Sequence, residues 1–203
     1  MSDGVFVIVG AGQAGGWIVK TLRAEGFDGQ IVLIGAEQHP PYQRPPLSKN
    51  LLRDAAAIAE TALLSLEDLA SADVQVRLGE RVDRIDRPAQ AIHCSSGLRI
   101  RYDRLFLTTG SRPRIPDWLA GTKSDRMHLL RTIDDAATLR DALSGASSLL
   151  IVVAVAGSVL KLRRARVGSA FALRAGGRAA PLPTIGSGTG VELAEAIARE
   201  PRR

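Results

Sequence analysis

The sequence predicts an α/β protein whose first part is a three-layer domain: a parallel sheet, helices, and a small antiparallel β-meander. An incomplete second domain is expected to follow. Three observations carry this expectation. The apolar run "VFVIV" leads straight into Gly10-x-Gly12-x-x-Gly15 and a helix-period pattern. A second buried-type strand, "IVLIG", follows at the spacing of a strand–helix–strand unit. Short alternating runs with turn signals then fill the stretch before a further apolar strand, "RLFL", as expected of a meander inserted between parallel strands.

Composition sets the class. The chain has 203 residues, enough for one large domain or one and a half ordinary ones, and is 45% hydrophobic and 24% charged, as soluble globular proteins are. Its low aromatic content of 4% suits an Ala/Val/Leu-rich core. No apolar run approaches the roughly 18 residues of a membrane span, and "MSDGVFVIVGAG" enters a strand with no signal-like segment before it. A single cysteine, Cys94, excludes an internal disulfide and a Cys-x-x-Cys redox pair. These features predict a cytoplasmic protein. The net charge of +6 comes wholly from the end of the chain: residues 1–152 hold 18 basic and 18 acidic residues, residues 153–203 hold 9 and 3. That tail has one aromatic residue, Phe171, and no recognisable reading motif, so neither a nucleic-acid nor a membrane partner is expected.

Taken in order, Val5–Val9 is a strand buried on both faces. Gly10 permits the tight turn, Gly12 lets the backbone approach a pyrophosphate, and Gly15 lets the helix pack closely on the strand, which is the Rossmann-like arrangement. The helix should bury Ala14, Ile18 and Leu22 and end at Gly26. Its N-terminus offers unpaired N–H groups and a positive dipole end to phosphates. Glu37 closes "IVLIGAE" about 20 residues past the last glycine, where a carboxylate accepts from ribose hydroxyls. It would repel a 2′-phosphate, so the expected ribose is unphosphorylated.

A Pro-rich loop, "HPPYQRPPLSKNLL", leads to a short helix. Ser65 with Asp68 forms a capping-box start. "VQVRLG", "RVDRID" and "QAIHCSSGLRIRY" are assigned to the meander, with Cys94 a small core residue in it. "RLFLTTG" is again a buried strand. A Pro-punctuated connection reaches the helix "TIDDAATLRDAL", with Thr132 as N-cap, Asp135 three residues on and Gly145 at its end. "SSLLIV" follows as the first strand of the next domain. His39, His93 and His128 have no metal-ligand spacing, so no metal site is expected.

The segments "VIVGAGQAG", "EGFDGQIVLIGAE", "HPPYQRPPLSKNLL", "YDRLFLTTGSRPR" and "LLRTIDDAATLRDAL" resemble the FAD-dependent NADH:ferredoxin reductases of aromatic-ring dioxygenase systems. These are glutathione-reductase-like flavoproteins with two dinucleotide-binding domains, and the resemblance spans residues 5–152. It implies that Gly10, Gly12, Gln13, Ala14 and Gly15 hold the ADP half of FAD, with Glu37 and Arg44 beside them. It further implies Lys49 beside the flavin ring, Val82 against the adenine, Thr109 and Gly110 near the cofactor, and Arg131 in contact with FAD. No residue is assigned a certain catalytic role; Lys49 is the candidate nearest the reacting ring. NADH is the implied electron donor and a [2Fe–2S] ferredoxin the implied partner. One cysteine excludes the disulfide reductases among the relatives, while rubredoxin reductases and NADH oxidases stay open.

The resemblance stops after Val152. The family's next strand opens onto a second glycine fingerprint for NADH, but here "LLIV" runs into "VAVAGSVLKLRRARVG". Given suitable third bases, Val153–Ala170 encodes "GGGWIGLEVAASARGLG" in a shifted frame, a complete G-x-G-x-x-G loop with its helix. The expectation is a reading-frame change near codons 152 and 153, natural or through sequencing error. "PTIGSGTGVELAEAIARE" offers another glycine-rich turn, but Gly186-x-Gly188-x-Gly190 lacks the x-x-Gly spacing. The domain reading is therefore an FAD-binding part over 1–115, a connection with the first helix and strand toward an NAD-binding domain over 116–152, and a basic, poorly ordered tail over 153–203 with one helix from Val191 to Arg199. The late Gly-Asp segment and C-terminal domain that close the family's pocket are not recognised. An inactive FAD-binding fragment is the alternative expectation.

Overall fold

The computed structural model describes residues 4–113, 115, 126–155 and 158–166, which fall in two compact units, Met1–Arg112 and Pro113–Arg203. In the first unit β1 (Val5–Val9) leads through the glycine turn into α1 (Gln13–Ala24) and β2 (Gln30–Gly35). The Pro-rich segment forms a 3-10 turn over Pro45–Ser48, where paired prolines preset the backbone angle. After it come α2 (Asn50–Arg53) and a second 3-10 segment, Ala55–Thr61. Next are α3 (Leu66–Ser71), β3 (Val74–Leu78), β4 (Val82–Asp86), β5 (Ala91–Cys94), β6 (Arg99–Arg101) and β7 (Arg104–Leu107).

The sheet has the order β3-β2-β1-β7, and the meander the order β4-β5-β6. Every pair in the four-stranded sheet is parallel, while the meander is antiparallel. Strand alternation divides the core into two layers. Ile8, Ile31 and Leu33 face the helices, packing with Val19, Leu64 and Leu69. Val7, Val9, Val32 and Ile34 face the meander, packing with Ile92 and Cys94. On the helix side Phe6 stacks on Phe27 at 4.0 Å between ring centroids. Arg23, at the end of α1, donates to the carbonyls of Ala72, Phe27, Gly29 and Asp73, tying helix α1 to the start of β3.

Several expectations change. "RLFL", read as a buried strand, is an edge strand of the described sheet, with Leu107 59% exposed. "VQVRL" is not a meander strand: Val74–Leu78 pairs in parallel with β2 at the sheet's edge. An edge strand with one wet face alternates as a meander strand does, so Gln75 and Arg77 are exposed between apolar neighbours. The buried stripe of α1 is also rotated. Ile18 and Leu22 pack against the core, but Ala14 is exposed and Gly15, Gly16 and Val19 are buried instead. Gly16 sits so close to Pro41 and Leu63 that a Cβ there would meet their side chains at 2.7 and 2.9 Å, so the helix presses in along its glycine edge.

Both predicted capping boxes are formed. Ser65 and Asp68 bond reciprocally at α3. In the second unit Thr132 and Asp135 do the same at α4 (Ile133–Ser144), with Gly145 at its C-cap. The strand after it, β8 (Ser148–Val155), exists as expected but is not a parallel strand opening onto a turn for phosphate. It pairs antiparallel with β9 (Ser158–Arg166), Ile151 opposite Arg163, so this part of the basic tail, expected to be poorly ordered, is one arm of a hairpin. Gly186–Gly190 and the helix expected at 191–199 lie outside the described residues. No described helix is long and apolar enough to cross a membrane.

Candidate functional site

A cleft of about 240 Å³ opens at the carboxyl ends of β1, β2 and β7, lined by Gly10, Gly12, Glu37, Arg44, Val82, Thr109 and their neighbours. Parallel sheets place ligands at this end because the helix following each strand begins there.

The glycine turn is built as its spacing predicts. Gly10 has φ +116°, and a Cβ on it would collide with the carbonyl of Thr108, the residue just after the neighbouring strand β7. Only glycine takes that conformation without strain. Thr108 holds the turn from the other side, its hydroxyl donating to the Gly10 carbonyl at 2.8 Å and to the Val9 carbonyl at 3.2 Å. Gly15 is buried, and a Cβ on it would strike the Gly10 carbonyl. Gly12 is different: nothing lies nearer its Cβ position than the Arg44 guanidinium, at 3.9 Å. It is the N-cap of α1 and no side chain caps it, so the first-turn N–H groups have no side-chain acceptor there. Two glycines are thus demanded by the protein's own atoms, while Gly12 borders open space.

Glu37 lies two residues beyond β2, on the wall of the cleft. The Arg44 guanidinium donates to its Oε1 at 2.7 Å, and the Tyr42 hydroxyl donates to its Oε2 at 2.5 Å. Arg44 also donates to the Tyr42 oxygen at 3.0 Å, closing a three-membered ring of hydrogen bonds. Tyr42 is 3% exposed. Behind the cleft, Cys94 is buried among Val9, Ile34 and Ile92; burial pushes its thiol upward, and Glu80 and Asp83 add to this.

Of the residues singled out in the sequence, Gly10, Gly12, Glu37, Arg44, Val82 and Thr109 are brought together in this cleft. Gln13 and Ala14 form the exposed first turn of α1, and Gly15 supports the turn from behind. Gly110 follows Thr109 with φ +66°. Lys49 is exposed at the C-cap of the 3-10 turn and does not line the cleft. Arg131 belongs to the second unit, where its N–H donates to Asp135 at 2.9 Å. Sequence reasoning missed Tyr42, Glu80, Arg81 and Arg112, the last three of which also line the cleft. Tyr42 and Arg112 had a signal, their places within "HPPYQRPPLSKNLL" and "YDRLFLTTGSRPR".

The model of the family described as pyridine nucleotide-disulphide oxidoreductase matches residues 5–199, which includes most of the tail. Over 147 residues the chain is 42% identical to the ferredoxin–NAD(+) reductase component of the p-cumate 2,3-dioxygenase system of Pseudomonas putida, an alignment covering 72% of this chain and 36% of that protein. It is 41% identical to the corresponding component of the biphenyl dioxygenase system of Paraburkholderia xenovorans, over 71% of this chain and 35% of the relative. Among solved structures it resembles the covalent putidaredoxin reductase–putidaredoxin complex, with TM-score 0.67 and 36% identity over 70% of this chain and 35% of that one. The chain therefore spans about a third of the length of these relatives. With a Rossmann-like parallel sheet, a glycine turn whose close contacts demand glycine, and a family match running from β1 to residue 199, the chain belongs to the pyridine nucleotide-disulphide oxidoreductase family.

Proposed function

We propose that the first unit binds FAD through its adenosine diphosphate half, as part of a reductase that passes electrons from NADH through the flavin to a [2Fe–2S] ferredoxin of a ring-hydroxylating oxygenase system. The observation that carries this reading is the cradle at Gly12, where absence of a Cβ leaves room beside the N-terminus of α1 and the nearest side chain is the cationic Arg44. That donor set fits a pyrophosphate. In this reading Gly10, Gly12, Gln13, Ala14 and Gly15 hold the pyrophosphate and Glu37 accepts from the ribose. Val82, Thr109 and Gly110 border the adenosine, while Lys49 serves the flavin end. Bound FAD supplies the capacity to take a hydride and release electrons singly. The chain's own residues bind and orient the cofactor: the α1 dipole and Arg44 offset the phosphate charge, and Glu37 fixes the ribose.

A second reading has its own support. β8 turns back into an antiparallel hairpin with β9 where a nicotinamide-nucleotide domain needs a strand opening onto a glycine turn. In that reading the chain is an FAD-binding fragment without an NADH site. The visible spectrum of the purified chain and its NADH-dependent ferricyanide reduction separate the two. A flavin spectrum with turnover establishes the reductase, a flavin spectrum without turnover the fragment. A chain that stays colourless after incubation with FAD and dialysis refutes both. Rubredoxin or molecular oxygen as acceptor is tested by substituting each for ferricyanide.

A further inference from the structure

The Glu37 carboxylate is held by a partner that its proposed ligand would not touch. Tyr42 is almost fully buried, and its backbone is fixed on both sides. It forms an isolated antiparallel bridge with Ala62, the next N–H donates from Gln43 to the Thr61 carbonyl at 2.8 Å, and the Pro41 carbonyl before it accepts from Leu63 at 2.9 Å. The phenol is thereby aimed at Glu37 Oε2, to which it donates at 2.5 Å while accepting from Arg44 at 3.0 Å. Arg44 in turn lies over the Tyr42 ring at 5.2 Å and holds Glu37 Oε1 at 2.7 Å.

We propose that Tyr42 is a positioning residue for the ribose-binding carboxylate, its hydroxyl completing the Tyr42–Glu37–Arg44 ring that fixes the Glu37 head group in one orientation. The inference rests on the reading of Glu37 as the ribose acceptor. A carboxylate has about four acceptor directions. Arg44 takes one on Oε1 and Tyr42 takes one on Oε2, so each oxygen keeps one lone pair, a pair matched to the two vicinal hydroxyls of an unphosphorylated ribose. Without the phenol, Oε2 loses a short, charge-assisted bond of the stronger kind, and the head group turns about the Arg44 contact. The ribose must then bear the ordering cost that the ring had already met.

The test uses the full chain with ADP and 2′,3′-dideoxy-ADP as probes, titrated by calorimetry into the wild type, Tyr42→Phe, Glu37→Gln and the double variant. The wild type is expected to prefer ADP. Tyr42→Phe is expected to weaken ADP about tenfold, the scale of one hydrogen bond to a charged group, while dideoxy-ADP changes less than about twofold. In the Glu37→Gln background Tyr42→Phe should add nothing. The ratio of the two affinities is internal to each variant, so a partly unfolded sample lowers both alike and leaves the ratio untouched. Equal losses for the two ligands would assign Tyr42 a merely structural role and overturn the inference, as would an unchanged ADP affinity. A wild type that does not distinguish the ligands overturns the Glu37 reading itself, and the role of Tyr42 with it.

Discussion

Replacing each glycine of the turn by alanine separates what the fold needs from what a ligand needs. At Gly15 an added methyl would overlap the Gly10 carbonyl, a backbone atom that cannot turn aside. Overpacking of this kind costs roughly 1–3 kcal/mol. At Gly10 the same methyl meets the Thr108 carbonyl and the residue must hold φ +116°, a strained region costing on the order of 1–3 kcal/mol by itself. At Gly12 the nearest atom is 3.9 Å away and φ is −87°, so the cost is limited to the poorer N-cap, about 1 kcal/mol or less. For a unit of this size each kcal/mol lowers Tm by roughly 4–8 °C. Gly10→Ala and Gly15→Ala should therefore melt well below the wild type, and Gly12→Ala within a few degrees of it. On the proposed FAD reading the order should reverse for ligand, because a methyl at Gly12 would occupy the phosphate's approach. A comparable steric penalty of roughly 1–3 kcal/mol weakens ADP or FAD about 5- to 150-fold. Differential scanning fluorimetry gives the first ranking and calorimetric titration the second. If Gly12→Ala kept full affinity, or melted with Gly15→Ala, the division of labour argued from these contacts would be wrong.

Other outcomes follow from the same geometry. The Asp68 carboxyl is held below its ordinary value of 3.8, first by the Ser65 backbone N–H and then by its hydroxyl. Its contribution to stability is therefore present above that unfolded value and is lost as pH falls through the lower folded one. Asp68→Asn should flatten the acid limb of the urea-midpoint profile of the first unit; an unchanged slope below pH 4 would count against the capping box as its source. The Cys94 thiol is buried and shifted upward, so a thiol-reactive disulfide reagent at neutral pH should modify it slowly in the native chain and rapidly in urea. Immediate labelling of the folded chain would contradict its place in the core. Nucleotide sequencing across codons 150–171 should give "GGGWIGLEVAASARGLG" in the shifted frame; a different shifted translation removes the frame-change explanation of the tail.

The parts of this protein that local sequence determined are those whose partners lie within a few residues. The glycine turn was legible because Gly10, Gly12 and Gly15 serve one strand–helix junction, and the capping boxes at Ser65 and Thr132 because each closes over three residues. The two-sided burial of β1 was legible from its unbroken apolar run. Choice among distant partners was not legible. Val74–Leu78 has the alternation of a meander strand, and only pairing with β2 makes it the edge of a parallel sheet. Leu149–Val153 has the composition of a buried parallel strand, yet it pairs with β9, and nothing within the strand specifies that partner. The ring of Tyr42, Glu37 and Arg44 depends on a loop pinned to residues about twenty positions further on. Sequence by itself determined that a nucleotide-type turn exists and where it begins. Tertiary structure alone decided which side chains meet across the cleft, because hydrogen bonds between segments are selected by packing and chain closure rather than by the residues that flank each one.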